Sequence, residues 1–354
     1  MSRKSSFVNH KRRCPGPVRR RAAALLPALL LLLASCGGSS STGAADALFG
    51  TISSAVPTDE AALADGKTVI LYFGDAQPEG SISEYEDFAD LVKRARKAAP
   101  DADFALQCGD ITNTGGAPEE WNAFFAAAAP AFEGLPLLSA PGNHEYTATA
   151  YDYGAKPETW LEAFVLPDNG PAGYKEEYYS FDCGDVHVTS LSANYLDPAE
   201  AYSGDEAENE EIAARIDAWI EEDLAAADRP WKIVLMHQPA YPLVGDSTQA
   251  AMAARWIPLF DAAGVDLVLC GHQHEFMRTF PLKAGREDEG GLVQVMGNAS
   301  QKYYSNSDPD LDFVAFEMGV SGWHIITATA GKLTVEAYDA DGRGLDYWEK
   351  TRTA

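Results

Sequence analysis

The sequence has few cysteines, and their spacing excludes one common kind of metal site. Five of the 354 residues are cysteine, and no two of them have the C-x-x-C spacing typical of thiolate zinc clusters. Cys14 and Cys36 belong to an N-terminal segment treated below. The remaining three, Cys108, Cys183 and Cys270, are an odd number that cannot all pair within the chain. We assign none of them a catalytic role.

Basic residues are also scarce outside the N-terminal segment. The chain has 27 lysines and arginines against 53 aspartates and glutamates, a formal net charge of −26. Eight of the basic residues and none of the acidic ones lie in residues 1–35, so the rest of the chain carries a formal charge of −34. A body this acidic lacks the clustered positive charge that binds nucleic-acid phosphates, and we expect no nucleic-acid binding as a main role.

The longest apolar run is too short to span a bilayer. It covers residues 22–33, whereas a transmembrane helix, the alternative interpretation, needs about 20 residues. The run follows a basic stretch and leads to Leu33-Ala34-Ser35-Cys36, which predicts a signal peptide over residues 1–35. The four residues resemble a bacterial lipobox, which implies a lipid on Cys36. We therefore predict a flexible tether over residues 36–67 and a protein anchored outside a bacterial cytoplasmic membrane, on the cell surface or the periplasmic side.

Short apolar runs alternate with amphipathic stretches between residues 68 and 354. The alternation predicts an α/β fold in one domain over residues 68–354, with loops and one short helix in the segment 146–175. Period-two alternation at 177–192 and 322–340 predicts a second sheet with hairpins. The predicted buried strands are 68–73, 104–108, 135–139, 232–236, 265–270 and 292–296, and the predicted helices are about 83–99, 118–133, 209–227 and 247–263.

Polar side chains that can bind metal follow five of the predicted strands. Because ligand sites in α/β sheets lie outside the carboxyl ends of the strands, we expect these side chains at one edge of the sheet. They offer oxygen and imidazole ligands without a thiolate, a set that suits zinc, iron or manganese. In chain order the segments are Gly74-Asp75-Ala76-Gln77, Gly109-Asp110, Gly142-Asn143-His144-Glu145, His237 and Gly271-His272-Gln273-His274.

The order of these segments resembles the calcineurin-like metallophosphoesterase superfamily over residues 68–281. The run from Gly271 to Pro281 resembles the Gly-His-x-His-x-Tyr-x-Arg-x-x-Pro motif of its purple acid phosphatase branch. The resemblance implies a four-layer α/β/β/α sandwich. It also implies a dinuclear centre of two divalent or trivalent ions, iron, zinc or manganese.

The resemblance further implies a role for each residue of the motifs. His144 would face the substrate phosphate as an acid or as a transition-state donor, and Glu145 would orient it. Asp110 would bridge the two ions, with Asp75 and His274 on the first and Asn143, His237 and His272 on the second.

Two positions depart from the family pattern. Gln77 stands where many relatives have histidine, and Asn113 stands where the purple branch has a tyrosine that is both a ligand and the source of the colour. The first ion is therefore short of one strong ligand. A labile first site, a water in place of the ligand and ligation by Gln77 itself remain open, and we predict that the protein is not purple.

The implied activity is phosphoester hydrolysis by a metal-activated hydroxide. The leading hypothesis is a phosphomonoesterase of the acid phosphatase type, acting on a small phosphoester outside the membrane. The alternatives are a phosphodiesterase on the same scaffold and a surface binding protein with an impaired first metal site. Arg278 and Tyr146 are candidate substrate contacts, with pairing of Arg278 to a carboxylate and loop packing of Tyr146 as alternatives.

Overall fold

Two β-sheets form the centre of the computed structural model. The structure describes residues 51–59, 66–149, 152–153, 156–196, 206–245, 247–304 and 313–352. The predicted signal peptide and Cys36 lie outside these residues. Among the described residues, no helix combines the length and the apolar character needed to cross a bilayer.

Seventeen strands are assigned in the described part of the chain, and each of the six predicted apolar runs overlaps one of them. They are β1 (Thr68–Phe73), β2 (Phe104–Gln107), β3 (Leu137–Ser139), β4 (Thr147–Thr149), β5 (Asp152–Tyr153), β6 (Tyr179–Cys183), β7 (Val186–Leu191), β8 (Trp231–Met236), β9 (Leu267–Cys270), β10 (Phe276–Thr279), β11 (Leu282–Lys283), β12 (Arg286–Glu287), β13 (Val293–Met296), β14 (Phe313–Glu317), β15 (Gly322–Thr329), β16 (Lys332–Asp339) and β17 (Gly344–Thr351).

The helices lie between the strands where the apolar spacing predicts them. They are α1 (Tyr85–Ala98), α2 (Pro118–Ala128), α3 (Glu158–Ala163), α4 (Glu206–Ala226) and α5 (Ser247–Ala263). In α1 the buried residues recur at helical spacing, and Phe88 packs edge-on against Phe73 of β1, with 5.7 Å between the ring centroids. The amphipathic stripe of α1 is therefore what fixes it against the first strand.

The longer strands form two sheets of mixed direction. Sheet one has the order β17-β16-β15-β1-β2-β3, and sheet two has the order β14-β10-β13-β9-β8-β7-β6. The strands β1, β2 and β3 run parallel in sheet one, and β7, β8, β9 and β13 run parallel in sheet two. Each sheet therefore presents a set of carboxyl strand ends at one edge.

Alternate residues of sheet two face two different hydrophobic cores. Ile233 and Leu235 of β8 belong to the core that also contains sheet one, α1 and α2, whereas Val234 and Met236 pack with α4 and α5. Because successive side chains of a strand point to opposite faces, sheet two lies between sheet one and these two helices. The layers are those of an α/β/β/α sandwich, as expected.

The two predicted hairpins join different sheets. The β6–β7 hairpin forms one edge of sheet two, whereas the β15–β16 hairpin pairs antiparallel with β1 in sheet one. The expectation that both belong to one second sheet is therefore wrong. Period-two alternation identifies a strand with one buried face, but it carries no information on which neighbour the strand pairs with.

Residues 51–59 pack against the sandwich, in contrast to the flexible tether expected there. Ile52 is buried in the shared core, and the carbonyl oxygen of Ser53 accepts a hydrogen bond from the backbone N–H of Leu137 at 2.8 Å. Ser54 Oγ donates to the carbonyl oxygen of Val165 at 3.0 Å. These contacts extend the folded part of the chain to the N-terminal side of β1.

The three cysteines of this part of the chain are free and buried. Burial raises the pKa of the Cys108, Cys183 and Cys270 thiols above the ordinary value. The reactive thiolate form is therefore disfavoured at all three positions.

Candidate metal centre

The candidate ligands come from strand ends of both sheets. Asp75, Asp110 and Asn143 follow β1, β2 and β3 of sheet one, and His237, His272 and His274 follow β8 and β9 of sheet two. The backbone N–H of His272 donates to both carboxylate oxygens of Asp75, at 3.0 and 2.9 Å, which joins the two sets. The expectation of one sheet edge is thus corrected: the site lies where edges of two sheets meet.

Two groups of ligand atoms share one carboxylate. The first group is Asp75, Asp110 and His274, and the second is Asp110, His237 and His272. Within each group the ligand atoms lie within 4.8 Å of one another. Asp110 therefore occupies the position that a ligand bridging two cations must occupy.

In the second group, atoms with lone pairs converge on one point. His237 Nε2 lies 3.0 Å from Asp110 Oδ2 and 3.1 Å from Asn143 Oδ1. His272 Nδ1 lies 3.1 Å from both Asn143 Oδ1 and His237 Nε2. Two ring nitrogens this close that also share one amide oxygen satisfy each other poorly by hydrogen bonds, whereas the same arrangement suits a common cation.

Gln77 belongs to the first group. Its Nε2 lies 3.1 Å from Asp110 Oδ2 and 3.2 Å from His274 Nε2. Its Oε1 is buried and has no hydrogen-bond partner among the described residues. Because the two ends of an amide are assigned from their hydrogen bonds, a half-turn of the side chain brings the oxygen to the Asp110 and His274 side. This orphaned oxygen fits a cation ligand at the position where many relatives have histidine.

Three of the candidate ligands have backbone angles that only glycine adopts easily. The φ values are 52° at Asp110, 71° at His272 and 52° at His274. Such angles persist only where the surroundings impose them, and they cluster at functional sites. Gly271 has a related constraint, since a Cβ there would come within 2.2 Å of Asp75 Oδ2.

Burial and mutual charge set the protonation of the site. Burial lowers the pKa of His272 and of His274 to about 3, so both imidazoles are neutral at neutral pH and keep a lone pair for a cation. Burial raises the pKa of Asp75, to about 7. Burial also acts to raise the pKa of Asp110, but its pairing with His237 outweighs burial and holds that pKa below the ordinary value. In return, burial acts to lower the pKa of His237, but the Asp110 carboxylate outweighs it and raises that pKa to about 9, so a cation in the second group would take the place of the proton on His237. A buried carboxyl pair of this kind favours added positive charge.

His144 is oriented toward the shared carboxylate. Its Nδ1 donates to the carbonyl oxygen of Asn113 at 2.6 Å, and its Nε2 lies 3.9 Å from Asp110 Oδ2. The side chain is 26% exposed, so the ring is partly open to solvent beside the ligand groups. The Asn113 side chain donates to the carbonyl oxygen of Pro78 at 2.6 Å.

Glu145 does not orient His144, contrary to expectation. Its buried carboxylate accepts hydrogen bonds from the backbone N–H groups of Asp110 at 2.8 Å, Ile111 at 2.8 Å and Gly142 at 2.7 Å. The orienting partner of the His144 ring is the Asn113 carbonyl instead. Glu145 therefore fixes the loops that carry Asp110 and Asn143, as a positioning residue.

Tyr146 is a packing residue and not a substrate contact. It is 4% exposed, and its hydroxyl lies 2.8 Å from Glu177 Oε2 and 2.8 Å from Ser192 Oγ. The aromatic side chain fills the core beneath α4 and α5. The loop-packing alternative therefore describes this residue.

Arg278 is paired with a carboxylate and does not face the ligand groups. Its guanidinium forms a two-point interaction with Asp346 of β17, with 3.0 Å between Nη2 and Oδ1. The Arg278 side chain is 8% exposed and that of Asp346 is 15% exposed. Of the two alternatives for Arg278, pairing with a carboxylate therefore describes this residue, and the pair links the two sheets.

One further strand end reaches the site and was missed by the sequence reasoning. Asn298 forms a parallel bridge with Asp75, and the backbone N–H of Ala299 donates to the carbonyl oxygen of Asp75 at 2.9 Å. Gly297-Asn298 directly follows β13, a strand that the apolar pattern predicts. The signal in the sequence is a polar residue directly after this sixth apolar strand.

Comparison with known proteins gives the same family. The profile described as calcineurin-like phosphoesterase matches residues 68–276, more than half of the chain. An uncharacterised protein of Mycobacterium tuberculosis is 34% identical over 158 residues, 42% of this chain and 28% of that protein. Purple acid phosphatase 18 of Arabidopsis thaliana is 27% identical over 261 residues, 69% of this chain and 53% of that protein. The matches thus span about a quarter to a half of the relatives' own length.

Solved structures show the same fold. A purple acid phosphatase from yellow lupin (Lupinus luteus) seeds matches with a TM-score of 0.60 at 19% identity, over 81% of this chain and 54% of that one. The inner-membrane-complex anchor GAP50 of Plasmodium matches with a TM-score of 0.58 at 13% identity, over 81% of this chain and 90% of that one. With the profile match, these likenesses lead to one conclusion: the chain belongs to the calcineurin-like phosphoesterase family.

Proposed function

We propose that this chain is a phosphomonoesterase that works with two metal ions held by the groups sharing Asp110. The shared carboxylate is the observation that carries the proposal, because one bridging ligand keeps two cations close enough to act on one phosphate. Bound there, two iron, zinc or manganese ions would supply positive charge for the phosphoryl group and acidify a water nucleophile. With Asn113 in place of a tyrosine ligand, we expect a preparation without purple colour.

The chain's own residues prepare the site for a phosphate. His272 and His274 are neutral, so the carboxylates of Asp75 and Asp110 provide the negative charge that holds the ions. Nδ1 of His144 donates its proton to a carbonyl oxygen, which only accepts, so Nε2 is the ring nitrogen that can exchange a proton with the substrate, and it carries one when the ring is an imidazolium. That atom faces the shared carboxylate, where it can protonate the leaving oxygen of the ester.

The location is a separate proposal that rests on the N-terminal sequence. We infer export and lipid attachment at Cys36, from the basic start, the apolar run and the Leu-Ala-Ser-Cys segment. In a bacterial host, labelled fatty acid should be incorporated into the full chain and not into Cys36→Ser. Cys14→Ser is the matched control and should be labelled normally. Labelling of Cys36→Ser would overturn the assignment.

Metal content and two substrates test the activity. Protein beginning after Cys36 is loaded with iron, zinc, manganese or cobalt, analysed for metal per chain and assayed on p-nitrophenyl phosphate and on its bis ester. We expect two metals per chain and monoester turnover, both lost in Asp110→Asn and both kept in the exposed control Asp90→Asn. Turnover of the diester alone would favour a phosphodiesterase. At most one metal ion per chain, with no turnover of either substrate under any metal loading, would favour a surface binding protein.

A further inference from the structure

The loop that follows β13, residues 297–304, is fixed against a candidate metal ligand. Asn298 forms the bridge with Asp75 described above, and its side-chain Nδ2 donates to the carbonyl oxygens of Ser300 at 3.2 Å, Lys302 at 3.1 Å and Val320 at 3.2 Å. Asn298 thus sets the path of the loop on both sides of Ser300. The position of the next residues relative to Asp75 follows from these bonds.

The end of this loop brings an aromatic ring and an ammonium group next to His274. The ring of Tyr304 meets the His274 ring at an angle of 71°, with 4.6 Å between centroids, and Tyr304 is 44% exposed. Lys302 Nζ lies 5.6 Å from the centroid of the Tyr304 ring. Both side chains therefore stand at the solvent side of the first ligand group.

Lys302 has no carboxylate partner among the residues that the structure describes, although the chain carries a formal charge of −26. The Tyr304 ring contacts both this ammonium group, at 5.6 Å from Nζ to the ring centroid, and the His274 ring, at 4.6 Å between centroids. Arg278, the cation that the motif suggested for phosphate, is neutralised by Asp346. Lys302 is thus a cation beside the ligand groups whose charge a substrate can use.

We propose that Lys302 binds the phosphoryl oxygens of the substrate and that Tyr304 contacts its organic group, so that loop 297–304 selects phosphomonoesters of ring-bearing alcohols. The proposal rests on the proposed function and names its substrate class. A monoester is a dianion near neutral pH and a diester is a monoanion, so the ammonium group stabilises the monoester more. The exposed ring of Tyr304 offers a flat apolar surface to an aryl group.

Charge-neutralising variants test the role of Lys302. Lys302→Gln should lower kcat/KM for p-nitrophenyl phosphate about tenfold, the effect of a charged hydrogen bond, and change the value for the bis ester less than about twofold. Lys302→Arg should recover most of the loss. Lys283→Gln removes the same charge from an exposed position on β11 and should match the wild type. Equal losses on both substrates, or equal behaviour of Lys302→Gln and Lys283→Gln, would overturn the proposal.

A ring substitution tests the role of Tyr304. Tyr304→Leu should raise KM for p-nitrophenyl phosphate about threefold and leave KM for glycerol phosphate unchanged, since only the first has a ring. Tyr347→Leu is the control, because Tyr347 is 52% exposed on β17. A KM change of the same size for both substrates would contradict the contact.

Binding of inorganic phosphate separates this inference from the proposed function. If the metal-loaded wild type cleaves neither ester, the proposed function fails, but calorimetric titration with phosphate still tests Lys302. We then expect affinity about tenfold weaker in Lys302→Gln and unchanged in Lys283→Gln. Equal affinities in the wild type and Lys302→Gln would overturn the inference, whatever the activity.

Discussion

At the scale of single residues, hydrogen bonds to the backbone decide what each polar side chain can do. The Asn113 carbonyl fixes the tautomer of His144, and the Glu145 carboxylate collects backbone N–H groups from two loops. Two neighbouring residues of one motif thus have different tasks. His144 presents a ring nitrogen that can transfer a proton, and Glu145 holds the loops that carry the candidate ligands.

Replacing His144 should affect poor leaving groups most. In His144→Gln no acid remains at the position of Nε2, so kcat for an alkyl phosphate should fall about a hundredfold or more. The p-nitrophenolate ion leaves without a proton, and we expect a loss of less than about tenfold for that ester. Steady-state kinetics on both substrates give the comparison. Equal losses would show that His144 binds the phosphate and does not protonate the leaving oxygen.

Replacing Glu145 should destabilise the fold and weaken metal retention together. The amide of Glu145→Gln places an NH₂ group against backbone N–H donors, so we expect about 2 kcal/mol less stability from an unpaired buried donor. Denaturant unfolding and metal analysis check this. The control is Glu86→Gln, an exposed position in the first turn of α1. A stable Glu145→Gln that keeps its metal but loses turnover would instead indicate direct catalysis.

At the scale of the elements, the sequence predicts the strands better than their partners. Runs such as Thr68–Phe73 are buried throughout and mostly apolar because both faces of the strand are covered, and this pattern can be read from the local sequence. Pairing of β15 with β1 joins segments about 250 residues apart, and no local pattern encodes it. The polar residues at the strand ends can be predicted as well, because they directly follow these apolar runs. The partners of Tyr146 and Arg278 come from distant elements, so the local sequence leaves their roles open between substrate contact and packing or pairing.

His187 ties β6 and β7 to α4 through two carboxylates, with its ring nitrogens 2.8 Å from Asp182 Oδ1 and 3.1 Å from Asp223 Oδ2. Burial acts to lower the pKa of His187, but the two carboxylates outweigh it and raise the pKa above the ordinary value. Its stabilisation is therefore complete below the unfolded-state pKa and is lost as the pH rises through the folded-state pKa.

The unfolding free energy, measured at two pH values, tests this contribution of His187. His187→Gln should cost about 1–2 kcal/mol of unfolding free energy at pH 5.5, and clearly less at pH 8.5. Taking the difference between variant and wild type at each pH removes the contribution of the metal centre. Asp182→Asn keeps the histidine and one carboxylate, so its pH dependence should be intermediate. A cost of His187→Gln that is constant or grows with pH would contradict the charged pair.

At the scale of the whole molecule, the site depends on how the two sheets are held together. Ligands from sheet one and sheet two must keep their spacing, and the shared apolar core supplies most of the cohesion. Apolar packing in that core has no preferred direction, whereas the Arg278–Asp346 pair joins defined atoms of β10 in sheet two and β17 in sheet one. The pair therefore adds a fixed alignment to a contact that apolar packing alone leaves free to slide.

Removing one partner of this pair should cost stability without changing the chemistry. Arg278→Leu leaves the mostly buried Asp346 carboxylate unpaired, and we expect a loss of about 3 kcal/mol in unfolding free energy. The double variant Arg278→Leu/Asp346→Leu should recover most of it, because no buried charge remains. Arg343→Leu, which breaks the exposed pairs with Glu317 and Asp339, should cost much less. In the folded double variant kcat/KM for a monoester should stay within about twofold of the wild type, since charge–phosphate contacts are worth tenfold or more. A larger fall in kcat/KM, with stability restored, would indicate that Arg278 contacts the substrate.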